Sequence, residues 1–381
     1  MPDTRATRAF LEPRHHQLAT AAEAFVAEQI APLGHAEDDE QARRQARQVL
    51  TALGEGTWLQ PIAVPDLRAC GLLREVLAAE SPLADAVFAL QALGSMPIQL
   101  AGSDELKRAF VEPALRGEAM AAFAMTEAEA GSDVAHLSTR AVRDGSHYVL
   151  NGGKAFISNA GIADFYTVFA VTDAEAGKRG ISCFVVPADT PGLSLARAQV
   201  MSAPHPLGEL AFEACRVPAS HRLGSEGEGL KIGLASLDRL RATVGAAACG
   251  MAQRALAEAL AYSKQRHLGG QALAEYQMTQ DKLARGATEL TASRLLVYRA
   301  LWERDDGTER TTVEAAMAKS YATEAAQRII DDAIQILGGR GCLAEHPVDH
   351  LYRSIRSLRI YEGTTEIQRL IIARALLAET S

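Results

Sequence analysis

The sequence has no surplus of basic residues. It contains 39 Lys and Arg against 47 Asp and Glu, a net charge of −8, and no basic block stands out along its 381 residues. Proteins that bind nucleic acid carry a concentrated basic surface that neutralises the phosphates. The charge balance therefore argues against nucleic-acid binding.

Cysteine is scarce, and neither cysteine nor histidine occurs at the spacing of a metal site. The five cysteines form no CxxC pair; they are Cys70, Cys183, Cys215, Cys249 and Cys342. The ten histidines show no metal-ligand spacing either. The pattern predicts reduced thiols and no bound metal.

Long apolar runs and targeting segments are missing as well. No run of apolar residues reaches the roughly 20 that a membrane-spanning helix needs. The first 25 residues lack the hydrophobic core of a signal peptide, and their acidic residues and helical pattern do not fit a transit peptide. With 48% hydrophobic and 23% charged residues, the chain can build a sizeable core. We expect a cytoplasmic protein that does not bind membranes.

Three textures follow one another along the chain. Residues 1–118 are rich in Ala, Leu, Glu and Arg and have the pattern of helices. Prolines should interrupt these helices near Pro32, Pro61, Pro65, Pro82 and Pro97. Residues 119–225 contain short strand-like runs, and Asp144-Gly145 and Asn151-Gly152 between them are hairpin signals. Residues 226–381 return to long helical periodicity.

This order predicts an α+β fold. We expect an N-terminal helical domain over 1–118, a central antiparallel β domain over 119–225 and a C-terminal helical bundle over 226–381. Strands and helices do not alternate, so no Rossmann fold is indicated.

The stretch IYEGTTEIQRLIIARALL, residues 360–377, places a glutamate just ahead of a helix. Thr365 followed three residues later by Gln368 fits a capping box, and the apolar residues beyond recur at helical spacing. Gly363 lets the backbone bend sharply after Glu362. By itself Glu362 could be a solvated loop charge near a favourable helix dipole.

Two glycine-containing motifs are weak signals when each is taken alone. AFAMTEAEAGSD, residues 122–133, offers glycine and the hydroxyls of Thr126 and Ser132 to a planar or anionic ligand, but it also fits a strand that runs into a polar turn. GGRG, residues 338–341, could admit an adenine or a phosphate, or could only end a helix.

Taken together and in order, the motifs resemble the acyl-CoA dehydrogenase family over essentially the whole chain. The matching segments are MTEAEAGSD, NGGKAFISNAGIAD, ELAFEACRVP, LGSEGEGL, QILGGRG and IYEGTTEIQR. The resemblance implies an FAD-dependent oxidoreductase of fatty acid metabolism whose C-terminal domain is a four-helix bundle. It also implies an acyl-CoA substrate, an electron-transfer flavoprotein as electron acceptor, and a homodimer or homotetramer.

The resemblance assigns FAD contacts to individual residues. In the central segment they are Phe123, Met125, Thr126, Gly131, Ser132, Phe156, Ile157 and Ser158. Phe156 would cover the flavin ring and Ser158 would bond near N5. In the C-terminal segment they are Arg266, Gln277, Gln335, Ile336, Leu337, Gly338, Gly339, Thr364, Thr365 and Glu366. Those from Arg266 to Gly339 match positions that reach the FAD of a neighbouring subunit.

The same resemblance assigns the substrate site and the catalytic base. The substrate contacts are Ser132, Asp238, Arg239, Leu240, Arg241, Tyr361 and Gly363. Residues 238–241 match the segment that binds the CoA moiety, although Asp238 and Arg241 are spaced as an ordinary helical surface pair.

Glu362 matches the base that removes the α proton in the short- and medium-chain members. A carboxylate buried against flavin and an acyl chain would have a raised proton affinity. The Glu362 N–H and a ribityl hydroxyl would hold the thioester oxygen. Other branches of the family carry the base at the position of Leu240, which cannot accept a proton, and this selects Glu362.

Three departures from the family pattern concern substrate and cofactor binding. VPDLRACGLLREV stands where a glycine-rich loop helps to shape the substrate entrance. A basic motif is replaced by Gln199, Val200, Met201, Ser202 and Ala203. Gly269 replaces an aromatic residue that contacts FAD.

Four functions stay open at this point. The first is acyl-CoA α,β-dehydrogenation. The second is the same reaction on an acyl group bound to a carrier protein, which the altered segment 199–206 favours. The third is a flavin monooxygenase of the same fold, and the fourth is a relative that is non-catalytic or binds nucleic acid. The glutamate at 362 argues against the last two.

Overall fold

The computed structural model describes residues 4–64 and 66–378, which form two compact units. The helical unit comprises Met1–His35, Pro65–Asp85 and Asp238–Ser381, and the sheet unit comprises Ala36–Val64 and Ala86–Leu237. The prediction that the chain divides into three sequential domains at residues 118 and 225 stays a prediction.

Helices occupy both ends of the chain, and strands lie between them. The helices are α1 Pro13–Phe25, α2 Asp39–Glu55, α3 Gln60–Ala63, α4 Leu67–Glu80, α5 Pro82–Ala101, α6 Asp104–Leu106, α7 Glu112–Leu115, α8 Gly229–Gln265, α9 Gln277–Asp305, α10 Thr312–Leu337, α11 Pro347–Leu358 and α12 Thr365–Ala378. The strands are β1 Ala121–Ala124, β2 Arg140–Asp144, β3 His147–Ser158, β4 Phe165–Val171, β5 Ile181–Pro187, β6 Leu193–Ala198, β7 Leu207–Pro218, β8 Arg222–Leu223, β9 His267–Leu268 and β10 Gln271–Ala272. The predicted α+β class is confirmed.

The sheet unit is built on eight strands in the order β6-β7-β3-β2-β4-β5-β8, with β1 paired to β4. β4 and β5 are buried along almost their whole length, which explains their uninterrupted apolar sequences. Most pairings are antiparallel, but β4 pairs in parallel with β1 and β2, which the hairpin pattern did not predict.

One of the two predicted hairpins is present and the other is not. Asp144 pairs with His147 across a two-residue turn, as predicted. Asn151-Gly152 lies inside the continuous strand β3, where the register against β7 shifts. Gly152 has a φ of +139°, and a Cβ there would lie 2.7 Å from the Cα of Thr139. Glycine is needed at this bulge, so the signal for a turn was a signal for a bulge.

The prolines near residues 82 and 97 differ in effect. Pro82 is the first residue of α5, whereas Pro97 lies inside this helix, so the interruption predicted at Pro97 is wrong. Pro65 lies outside the described residues.

α5 is long and apolar enough to span a membrane, but 78% of its apolar window is buried inside the protein. The expectation that no segment would be long and apolar enough is wrong for α5, although its burial is typical of a core helix.

The helical unit packs long helices closely around α4. Twelve of the residues of α4, Leu67 to Ala78, are buried. A Cβ at Gly250 on α8 would lie 2.0 Å from the carbonyl oxygen of Glu75 on α4, so only glycine permits this approach. Glu75 in turn accepts from Arg294 Nε at 2.7 Å and from the hydroxyl of Tyr298 at 2.8 Å. These buried bonds fix α4 against α9.

Candidate active site

The turn between α11 and α12 carries Glu362 in an unusual backbone conformation. Glu362 has a φ of +54° and Gly363 a φ of +88°. A residue with a side chain is rare in this left-handed region and costs about 1–3 kcal/mol unless its surroundings hold it. Contacts with the surrounding helices must therefore hold this turn in place.

Three side chains hold this turn. Gln368, fully buried on α12, donates its amide to the carbonyl oxygens of Glu362 at 3.3 Å and Gly363 at 2.8 Å. Lys319, fully buried on α10, donates to the Gly363 carbonyl at 2.6 Å. Thr364 caps α12, because its hydroxyl accepts from the Ile367 N–H at 3.3 Å.

The predicted capping box of Thr365 and Gln368 is therefore wrong: Thr364 caps the helix, and Ile367 at the reciprocal position has no polar side chain to complete a box. Thr365 is the first residue of α12, and its hydroxyl bonds to Glu324 at 2.8 Å. The sequence prediction also missed Lys319, although a lone lysine within the small-residue stretch AAMAKSYA was a usable signal.

Glu362 itself keeps two groups free. The residue is only partly buried, but its Oε2 atom is enclosed and has no hydrogen-bond partner among the described residues. Its backbone N–H likewise meets no acceptor in that part of the chain. Burial raises the pKa of Glu362 above its usual value, while the cations of Arg74, Lys319 and Arg241 oppose that shift.

The predicted CoA-binding segment, residues 238–241, lies within α8, at the start of the part of this helix that belongs to the helical unit. Arg241 is buried and pairs with Asp238 at 3.0 Å, so the helical pair is real. Asp238 also accepts from the Thr312 hydroxyl at 3.0 Å. The Nε atom of Arg241 is buried without a hydrogen-bond partner among the described residues. Leu240 is buried and offers no proton acceptor.

A second buried ion pair near Glu362 was not predicted. Arg74 binds Asp85 through two bonds of 2.7 and 3.0 Å and donates to the Thr243 hydroxyl at 2.9 Å. Arg74 is the strongest of the opposing cations for Glu362 and also acts on Tyr361, whose ring is partly exposed. No local spacing in the sequence connects Arg74 with residue 362.

In the sheet unit, the residues assigned to the flavin lie along β1 and the end of β3. The Phe123 ring packs at a tilt against the Phe169 ring, with 4.9 Å between the ring centroids, and Met125, two residues further along the chain, is buried. The carbonyl of Thr126 accepts from the Ala155 N–H at 3.0 Å, which ties the two segments together. Gly131 and Ser132 lie on the exposed turn that follows.

The end of β3 presents an aromatic ring and a hydroxyl. Phe156 has a φ of +56° and a side chain that is 59% exposed, whereas Ile157 points into the core. Ser158 bonds to His205 at 2.8 Å, and the Phe156 N–H donates to Gln199 at 3.1 Å. Segment 199–206, which departs from the family pattern, thus forms hydrogen bonds with two of the residues assigned to the flavin.

The residues assigned to a neighbouring subunit's cofactor are mostly on the surface of the helical unit. Two of them are not exposed: Ile336 is half-buried and Leu337 is buried. The exposed ones are Arg266, Gln277, Gln335, Gly338 and Gly339. A Cβ at Gly338 or Gly339 would meet nothing within 4 Å. In the assigned stretch 364–366, Thr364 is half-buried, Thr365 is buried and Glu366 is exposed.

These residues fit FAD. The exposed Phe156 ring in a strained conformation suits a stacked flavin, and the open glycine backbone at 338–339 suits an adenine or phosphate. No group of three His, Cys, Asp or Glu side chains within 4–64 and 66–378 could hold a metal ion.

Comparison with known proteins assigns the whole chain to one family. Residues 12–118, 122–215 and 227–377 match the N-terminal, middle and C-terminal domains of acyl-CoA dehydrogenase. The probable acyl-CoA dehydrogenase FadE25 of Mycobacterium tuberculosis is 37% identical over 379 residues, 96% of each chain.

Solved structures agree. Butyryl-CoA dehydrogenase from Megasphaera elsdenii has a TM-score of 0.87 at 33% identity, covering 96% of this chain and 99% of that one. A glutaryl-CoA dehydrogenase from Mycobacterium smegmatis, in complex with FADH2, has a TM-score of 0.86 at 29% identity, covering 98% and 96%. The chain belongs to the acyl-CoA dehydrogenase family.

Proposed function

We propose that the protein oxidises an acyl-CoA thioester to the 2-enoyl-CoA, with Glu362 as the base that removes the α proton. The observation that carries the proposal is the pair of free groups on Glu362, its enclosed Oε2 atom and its N–H. A carboxylate without partners is available to take a proton, whereas one that already accepts several bonds is not.

The chain's own residues would divide the reaction as follows. Glu362 Oε2 takes the α proton, and the Glu362 N–H donates to the thioester oxygen as negative charge develops there. The raised pKa of Glu362 makes it a stronger base than an ordinary carboxylate. Arg241 would hold the CoA portion, since its Nε is buried and free.

The family is FAD-dependent, and FAD supplies the acceptor, at flavin N5, for the hydride that leaves the β carbon. Residues of the sheet unit would hold the flavin, with Phe156 against the ring and Ser158 oriented by His205. The assigned residues Arg266, Gln277 and Gln335–Gly339, most of them exposed, would complete the cofactor site of a neighbouring subunit, which requires a homodimer or homotetramer.

The carrier-protein alternative loses its main support. It depended on the altered segment 199–206, and Gln199 and His205 of that segment bind Phe156 and Ser158. This gives the segment a role beside the flavin residues that is independent of the thioester's carrier. The monooxygenase alternative has no observation in its favour, since the glutamate at 362 is free to act.

The setting of the reaction follows from the family and the composition. We propose a cytoplasmic enzyme of fatty acid metabolism that passes electrons to an electron-transfer flavoprotein.

Anaerobic titration of the purified flavoprotein tests the proposal. Butyryl-CoA and glutaryl-CoA head a panel of acyl-CoAs, and a substrate should bleach the flavin absorption. A protein that copurifies with FAD but is bleached by none of the panel would contradict acyl-CoA dehydrogenation. A monomer in light scattering that still holds one FAD per chain would contradict the shared cofactor site.

A further inference from the structure

Lys319 is buried in an unusual position for a lysine. Its side chain is fully buried on α10, and its Nζ donates to the Gly363 carbonyl at 2.6 Å. Lysine is almost never fully buried without a partner, because desolvation of the ammonium is costly. Its hydrogen-bond partner here is a backbone carbonyl of the strained turn and not a carboxylate.

The charges around Lys319 show what the ammonium acts on. Glu362 exerts the largest attraction, Glu324 and Glu366 add to it, and Arg241 repels it. Glu324 is already bonded to Arg359 at 2.9 Å and to Thr365 at 2.8 Å, and Glu366 is exposed. Glu362 is therefore the carboxylate whose charge Lys319 chiefly balances.

From this geometry we propose that Lys319 is a positioning residue for the reaction: it grips the Gly363 carbonyl and so holds Glu362 in the left-handed turn that leaves Oε2 and the N–H free. The inference rests on the proposed function of Glu362.

Lys319 acts in two parts: its hydrogen bond fixes the Gly363 carbonyl, and its charge acts on the Glu362 carboxylate. A glutamate whose backbone lies in the left-handed region returns to a common conformation when no contact holds it there. The change in its backbone angles moves both its N–H and its side chain. Gln368 contributes a second bond to the same carbonyl but carries no charge. Lys319 alone supplies both parts, and burial lowers its pKa to about 8 against the pull of Glu362.

Substitution separates the two parts. Lys319→Met removes the bond and the charge with similar volume, and Lys319→Arg keeps the charge. The matched control is Lys282→Met, a partly exposed lysine of the same unit that pairs with Asp332. We expect Lys319→Met to lower the anaerobic rate of flavin reduction by about 10²-fold, the scale of a small misplacement of a catalytic group. Lys319→Arg should recover part of it, and Lys282→Met should not change it.

The pH profile distinguishes positioning from simple stabilisation. Loss of the ammonium removes one of the charges that hold down the pKa of Glu362, so the acid limb of the reduction rate should move to higher pH in Lys319→Met. A lower melting temperature with wild-type rate and wild-type pH profile would overturn the proposal.

Hydrogen exchange of residues 359–366 tests the grip without any substrate. In Lys319→Met, the amides of 359–366 should exchange faster than in the wild type, and those of α9 should exchange at the wild-type rate. If Lys319→Met does not fold, Lys319→Gln serves instead, because it keeps an amide that can donate but carries no charge. The acid limb of its reduction rate should lie at higher pH than that of the wild type, and a limb at the wild-type pH would overturn the proposal. If no acyl-CoA reduces the flavin of the wild type but the exchange results are as expected, the proposed function is rejected. The role of Lys319 in holding the turn is then still supported.

Discussion

The two units each bury a lysine beside a glutamate, and the two pairs are built in opposite ways. In the sheet unit Lys154 bonds to Glu127 at 2.7 Å and to the Met125 carbonyl at 3.1 Å. Glu127 also accepts from Ser138 and Thr139, so both its oxygens are occupied. In the helical unit, among the residues that the structure describes, Lys319 bonds only to the Gly363 carbonyl and Glu362 keeps an oxygen without a hydrogen-bond partner.

The difference shows in the proton affinity of the carboxylates. Burial alone would raise the pKa of Glu127, but Lys154 and the bonds from Ser138 and Thr139 lower it to about 2. For Glu362 burial prevails and the pKa is raised. A carboxylate whose acceptor sites are filled stabilises the fold, whereas one left unfilled can carry a proton during a reaction.

The largest expected effect separates the two glutamates in catalysis. Glu362→Gln keeps the shape but removes the base, so the anaerobic rate of flavin reduction should fall by about 10²–10⁴-fold or more, because Leu240 offers no substitute. FAD content should be unchanged. The control is Glu345→Gln, an exposed glutamate of the same unit, which should reduce at the wild-type rate. A near-wild-type rate in Glu362→Gln would remove this residue from the mechanism.

The next effect concerns stability. Glu127→Gln leaves the Lys154 ammonium buried without its carboxylate and should lower the free energy of unfolding by about 3–5 kcal/mol near neutral pH, measured by urea denaturation. The loss should shrink as the pH falls from about 4.5 towards 2, where Glu127 of the wild type takes up its proton.

The exposed pair Arg116–Glu118 is the control for this experiment. Glu118→Gln should leave the free energy of unfolding almost unchanged, because solvent screens an exposed ion pair. An equally small cost for Glu127→Gln would mean that the buried pair does not stabilise the sheet unit.

These two glutamates also show what could be predicted from the sequence. Glu362 is predictable as the base only through the resemblance of the whole set of motifs to the acyl-CoA dehydrogenase family, because its own stretch also fits a solvated loop charge. Its free oxygen, the grip of Lys319 and the pair of Arg74 with Asp85 depend on residues far apart in the chain, which no local pattern connects. The class of fold was predictable from the order of textures, but Asn151-Gly152 was misread because a bulge and a turn need the same backbone freedom.

A smaller effect is expected at Arg241, one of the cations that hold down the pKa of Glu362. Arg241→Ala should raise KM by about 10-fold or more, the scale of one lost charged hydrogen bond, with less change in kcat. Steady-state kinetics with the best acyl-CoA of the panel measures this. An unchanged KM together with a lower melting temperature would leave only the helical pair with Asp238.

The smallest effect is on the stability of the Glu362 variant and has the opposite sign to that of Glu127. A carboxylate with a raised pKa stabilises the fold while protonated and loses that contribution as the pH rises through its folded pKa. Glu362→Gln should therefore melt slightly above the wild type near pH 7, and the difference should vanish near pH 4. Destabilisation near pH 7 would mean that the ionised form is favoured in the fold.

The pH dependence of flavin reduction at limiting substrate tests the central claim most directly, because it reports the base of the free enzyme. The account predicts an acid limb above the ordinary glutamate pKa of 4.5 in the wild type, and the same limb in any Glu127→Gln protein that retains FAD. A limb at or below 4.5, or one that moves when Glu127 is replaced, would contradict the assignment of Glu362 as the free carboxylate that takes the proton.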